Sequence, residues 1–202
     1  QLHKEKLSSV VKNNQFYFFP ICEDNNKKID WSIYRYKTNK TWDHVFFERK
    51  EEILHKINNF MNHPEIYQKQ GTLWTLGMLL YGKPGTGKTS FIKALASQTK
   101  RHLIEIPLNE IQTYEQLKKL FFKENIKNMH VPFEKRIYLI EDIDCLNENL
   151  ICKRTENKDS KPVSSSKTSY SESGSSLFTS KDKITLSHLL NVIDGAIEVP
   201  GR

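Results

Sequence analysis

Cysteine is scarce in this 202-residue chain. Cys22, Cys145 and Cys152 are odd in number and lack CxxC spacing, so they build neither a disulfide framework nor a zinc site. A reducing, intracellular compartment is the expectation. The seven histidines show no HExxH and no paired spacing, which leaves them as ordinary surface or core residues. No apolar run reaches the roughly 18 residues of a membrane span, and no charged-then-apolar signal opens the chain. Lys and Arg outnumber Asp and Glu to give a formal charge of +7, but no run of five basic residues occurs. A somewhat basic surface explains that surplus more simply than a nucleic-acid partner does. Internal repeats are also lacking.

What is present is a set of aromatics, 11 Phe, 8 Tyr and 3 Trp, too many for a chain disordered throughout. With 37% hydrophobic and 27% charged residues, the expectation is a real core diluted by a polar segment. The chain opens on Gln1, so a fragment of a longer protein is expected. Residues 1–40 read as a short β-rich segment. QFYFFPIC (15–22) and IDWSIYRYKT (29–38) flank a polar turn, EDNNKK, which predicts two strands.

Residues 41–202 read as one α/β unit. Ile53, Leu54, Ile57, Phe60 and Met61 recur at helical spacing and predict an amphipathic helix over 48–61, ending before Pro64. LGMLLY (76–81) predicts a buried strand. A helix follows over 88–100, a strand over 102–106, helix again over 116–123, and a third strand from Arg136. Such alternation predicts a mostly parallel sheet with crossover helices. Residues 147–183 are serine-rich and are expected to form a disordered insert. A last helix is predicted over 186–193, stopped by Gly195.

GKPGTGKT, residues 82–89, satisfies GxxxxGK[ST] between a predicted strand and a predicted helix, the context in which that motif cradles phosphate. Glycines let successive N–H groups converge on phosphate oxygens, and the helix N-terminus adds partial positive charge. Gly82, Pro84, Gly85, Thr86, Gly87, Lys88, Thr89 and Ser90 are the nucleotide-binding candidates. Pro84 fixes the loop entry, Gly85 and Gly87 permit close approach, Lys88 reaches the β/γ-phosphates, and the Thr89 hydroxyl ligates Mg²⁺. RIYLIEDID, from Arg136, brings Glu141, Asp142 and Asp144 to a strand's carboxyl end. In a parallel nucleotide-binding sheet that end faces the phosphates, where one acid holds Mg²⁺ and another polarises the attacking water. Side chains alternate along a strand, so Glu141 and Asp142 cannot share one task.

These motifs and their surroundings resemble an AAA ATPase of the family named for the mitochondrial inner-membrane chaperone that inserts the Rieske protein into respiratory complex III. The likeness is carried by KTWDHVFFERKEEILHKINNFM, GMLLYGKPGTGKTSFIKALAS, YLIEDID and TLSHLLNVIDGAIEVPGR, in family order and spacing. It implies a P-loop NTPase three-layer sandwich, incomplete at the C-terminus, that binds ATP with Mg²⁺. By position, Glu141 stands for the usual Mg²⁺-site aspartate and Asp142 for the water-polarising glutamate, with Lys88 completing the catalytic set. Residues 43–47 resemble the stretch packed near adenine, although Asp43 could instead cap the following helix. The resemblance further implies a homo-oligomeric ring, protein cargo and, by analogy, a mitochondrial setting. Where a pore loop would stand there is IPLNEIQTYEQ, which argues against threading extended polypeptide. Arg202, in VPGR, precedes the expected sensor strand and is not read as an arginine finger.

The leading function is therefore an ATP-hydrolysing chaperone or remodelling motor. Two alternatives stay open: a catalytically incompetent nucleotide-binding or interaction module, and an AAA-type nucleic-acid loader, for which the +7 charge is the sole support.

Overall fold

The computed structural model describes residues 14–22, 29–141, 143 and 184–202. The serine-rich stretch expected to be disordered and the acids Asp142 and Asp144 lie outside them.

Alternation in QFYFF sends Phe16 and Phe18 to one side of strand β1 (Gln15–Cys22) and Tyr17 to the other. β1 pairs antiparallel with β2 (Ile29–Tyr36) in unbroken register from Gln15↔Tyr36 to Cys22↔Ile29. Phe18 is completely buried and meets the Trp31 ring edge-on. The two strands predicted near the N-terminus are thus present, and they do not stand apart from the rest. β1 continues into a parallel pairing with β3 (His102–Glu105) at Tyr17↔Leu103 and Phe18↔Ile104. β3 pairs parallel with β6 (Arg136–Leu139), giving the order β2-β1-β3-β6. A small antiparallel ladder, β4 (Asn125–Ile126) with β5 (Met129–His130), precedes β6.

Five α-helices occur among the described residues: α1 (Lys50–Asn62), α2 (Pro64–Gln70), α3 (Lys88–Thr99), α4 (Tyr114–Phe122) and α5 (Leu186–Asp194). They cover both faces of the sheet, as a parallel sheet requires. On one face Phe18, Ile104 and Ile106 pack with Leu117, Leu120 and Phe121 of α4 and Leu189 and Val192 of α5. On the other, Phe91, Ala94 and Leu95 of α3 pack with Ile57 of α1, Val45 and the β6 residue Ile137. This is the three-layer α/β sandwich with a mostly parallel sheet. Local chemistry sets the helix starts. Thr113 accepts from Gln116 N while the Gln116 side chain accepts from Thr113 N, a reciprocal cap at the head of α4.

One expected strand is not formed. Residues 76–81 have no strand assignment. Leu76 and Leu80 pack on the second cluster, whereas Leu79 is 75% and Tyr81 87% exposed. Apolar composition selects burial, but a strand also needs a neighbour's N–H and C=O groups. The start of this segment finds them: Gly201 N donates to Trp74 O at 2.6 Å, and Leu76 N donates to Arg202 O at 2.9 Å. The Arg101 guanidinium clasps the same place, donating to Gly201 O at 2.7 Å and Arg136 O at 3.5 Å. Beyond Leu76 the ladder stops among the described residues, and β6 pairs with β3 alone. The Arg202 side chain donates to Ile193 O in the last turn of α5.

Candidate functional site

The glycine-rich loop leads directly into α3, and its backbone is bent where glycine alone is comfortable. Gly85 has φ 81° and Gly87, the residue before the first helical turn, φ 97°. A Cβ at either position would meet nothing within 4 Å, so the constraint is conformational and the space beside both is open. Thr86 closes the loop on itself: its hydroxyl donates to Lys83 O at 2.8 Å. Having no side chain, Gly87 gives α3 no side-chain cap, and the first turn carries no acid. Neither a capping side chain nor an acid in the first turn offsets the partial positive charge at the head of α3. Lys88 is half-buried and folds back over the loop, its Nζ donating to Gly82 O at 2.7 Å and Lys83 O at 3.0 Å. Pro84 and Thr89 are exposed, and Ser90 is half-buried in the same turn.

The two faces of β6 are set by alternation. Ile137 packs against the α3 cluster, whereas Tyr138 and Ile140 pack on the opposite face. Leu139 pairs with Glu105 across the β3–β6 ladder, and Ile106 N donates to Leu139 O at 2.8 Å. Glu141, one side-chain repeat beyond Leu139, is exposed. Glu105 itself accepts a hydrogen bond from the Tyr17 hydroxyl. Burial, that hydrogen bond and the negative charges of Glu105 and Glu141 hold the Tyr17 phenol well above the usual tyrosine range.

The residues present fit a nucleotide with a hard cation. Open space beside Gly85 and Gly87, a helix start without a side-chain cap and a lysine that donates to two loop carbonyls suit a phosphate chain. An exposed threonine hydroxyl and an exposed carboxylate are hard oxygen donors of the kind Mg²⁺ takes while keeping several waters. No group of three His, Cys, Asp or Glu residues suited to a metal occurs among the described residues.

Residues 78–197, more than half of the chain, match AAA, the ATPase family associated with various cellular activities. This chain belongs to the AAA family. Among relatives in Arabidopsis thaliana, AAA-ATPase At4g30250 is 36% identical over 82% of this chain and 30% of its own length. AAA-ATPase At5g40000 is 32% identical over 98% of the chain and 40% of its own length. AAA-ATPase ASD, mitochondrial, is 33% identical over 92% and 36%. The chain spans about 30 to 40% of the length of the relatives it matches.

The AAA match contains the glycine-rich loop, α3 and Glu141, and leaves the β1–β2 hairpin outside it. In the stretch compared with an adenine neighbour, Val45 is buried and the Phe47 ring meets Phe91 of α3 edge-on at 5.4 Å. Phe46 is 82% exposed with Lys50 Nζ 5.5 Å from its ring centre. Asp43 does not cap the following α-helix, whose N-cap is Arg49. The Tyr17–Glu105 pair escaped the sequence reading. Its signals were a tyrosine out of phase with Phe16 and Phe18, and a lone acid ending HLIE.

Proposed function

We propose that residues 41–202 form the nucleotide-binding part of an ATP-hydrolysing AAA protein, and that residues 1–40 are a β-rich segment joined to its sheet. The observation that carries this reading is the cradle at the head of α3. There, Lys88 Nζ hangs on two loop carbonyls beside uncapped helix N–H groups.

In this reading Gly82, Pro84, Gly85, Thr86, Gly87 and Ser90 shape and complete the phosphate cradle. Lys88 exchanges its carbonyl partners for phosphate oxygens. Thr89 and Glu141 would hold Mg²⁺, which when bound neutralises phosphate charge. Asp142, outside the described residues, takes the water-polarising role by its place in the sequence, and its shorter side chain would demand a closer approach than glutamate does. ATP rather than GTP rests on family membership.

The finer reading is a chaperone or remodelling motor of the Rieske-inserting type, working as a homo-oligomeric ring on protein cargo. It rests on the sequence resemblance and on family habit. An arginine supplied by a neighbouring subunit contributes 10³ to 10⁵ in rate in related phosphoryl-transfer systems, which would make activity depend on assembly. A mitochondrial setting draws on the printed name of one relative. No helix among the described residues is long and apolar enough to cross a membrane.

The test is titration calorimetry of Mg·ATP with this chain and with Lys88→Ala. Binding in the wild type that the variant loses is the expected result. Equal binding in both would overturn the cradle assignment.

A further inference from the structure

A cleft of about 270 Å³ lies between α2 and the C-terminal segment, and no residue of the glycine-rich loop lines it. The sequence builds its walls locally. Helix α2 ends at Gly71, which takes a left-handed backbone at φ 63°, and Thr72 N donates back to Tyr67 O at 3.0 Å. That reversal returns the chain beside its own helix, so Tyr67 and Trp74 line one cavity. Phe60 fixes both rings. Its carbonyl accepts from Trp74 Nε1 at 2.8 Å, and its ring stands 5.7 Å from the Trp74 ring and edge-on to Tyr67 at 6.2 Å. The bond from Gly201 N to Trp74 O brings Glu198 and Pro200 to the same cleft.

Glu198 is the one charged side chain among the lining residues, and it forms no ion pair among the described residues. Neither Arg101 nor Lys69 lines the cleft, so its walls hold no cation of their own. Aromatic faces carry the negative end of a quadrupole, and the carboxylate adds a full charge, so both draw a positive guest. A neutral or anionic guest gains from neither. The same aromatic cluster already carries one such group, because the Arg101 guanidinium lies 4.9 Å over the Phe60 ring. Size narrows the class further. Sites for whole small molecules run from about 300 Å³ upward, whereas this cleft suits one long side chain. We propose that the cleft is a docking site for a single arginine side chain presented by a protein partner. Its planar guanidinium stacks on aromatic faces and is shed from water more readily than an ammonium.

The test is a titration of this chain with an end-capped glycine-arginine-glycine peptide and with the same peptide carrying citrulline. Citrulline keeps the shape and replaces the guanidinium by a neutral urea. The Trp74 indole signal in a proton–nitrogen NMR spectrum reports binding at the cleft. The arginine peptide should shift that signal with at least about fivefold higher affinity than the citrulline peptide. Glu198→Gln, a change at an exposed position, should weaken the arginine peptide about 2- to 5-fold and leave the citrulline peptide as it was. Raising sodium chloride to about 0.5 M on the wild type needs no variant and should weaken the arginine peptide alone. Equal affinity for the two peptides, an indole signal unmoved at about 50 mM peptide, or an arginine affinity indifferent to both Glu198→Gln and salt overturns the proposal. Tighter binding of choline than of the arginine peptide also overturns it, and marks the cleft as a site for a small quaternary ammonium instead.

Discussion

Lys88 Nζ lies 2.7 Å from the Gly82 carbonyl oxygen, so the cation at the head of α3 is held by its own loop. In the proposed reading a phosphate displaces that bond and its companion to Lys83 to gain the charge. Lys88→Ala removes both the loop bonds and the phosphate partner. It is expected to cost at least about tenfold in ATP affinity, since hydrogen bonds to charged groups contribute ~1.5–3 kcal/mol each. The loop is exposed, so the melting temperature should move little. Calorimetry and a melting curve on the same samples separate the two effects.

Asp142→Asn in the longer protein should abolish ATP turnover and leave Mg·ATP affinity within about threefold of wild type, as expected of a residue that acts on the attacking water. Phosphate release and calorimetry measure the two quantities. Turnover at the wild-type rate would assign the water-polarising task elsewhere.

His102 is buried under Phe16 and Phe18, and its Nδ1 accepts from Phe16 N at 3.1 Å. Burial, with the nearby charges of Lys135 and Arg136, lowers its pKa to about 4 from 6.5. Between these values the unfolded chain binds the proton and the folded chain refuses it. The contribution is therefore complete above pH 6.5 and is lost as pH falls towards 4, a change on the order of 3 kcal/mol. Urea melts at pH 7 and pH 4.5 should show a steeper loss in the wild type than in His102→Asn, which keeps an acceptor and does not titrate. Parallel losses in the two proteins would remove His102 as the cause.

Arg136 is fully buried, and among the described residues its hydrogen-bond partners are carbonyls and a hydroxyl. Its guanidinium donates to the carbonyls of Lys123, Glu124 and Val131 and to the Tyr138 hydroxyl, and it lies over the Phe133 ring. That arrangement ties the β4–β5 ladder to β6. Arg136→Met leaves several carbonyls unpaired in the interior and should destabilise the fold by about 3 kcal/mol or more. A urea midpoint within error of wild type would contradict this.

Local signals were read well. The helix expected over 88–100 is α3, because a glycine-rich turn followed by good helix formers is decided within a dozen residues. The helix expected over 48–61 starts two residues late, after Arg49 takes a left-handed backbone. The N-terminal hairpin was legible in its alternation, but its attachment to β3 was not. Two residue pairs join them, and nothing in QFYFF names HLIE as its neighbour. Strand 76–81 failed for the same reason in reverse, since its composition was right and its partners were decided elsewhere in the chain. Of the candidate site, the glycine-rich loop was legible as a strand-to-helix turn because it is contiguous. Tyr17 and Glu105, separated by 88 residues, were not.

The clasp of Arg101 at Gly201 and Arg136 lies where the pairing of residues 74–76 with residues 201–202 ends among the described residues. Deuterium uptake should follow that break. Amides of 77–81 should exchange within seconds, while those of β3, flanked by strands on both edges, persist far longer. Opening there would leave Lys88 anchored through α3, which Gln15 Nε2 grips at Ala96 O and Ile137 packs against from the sheet.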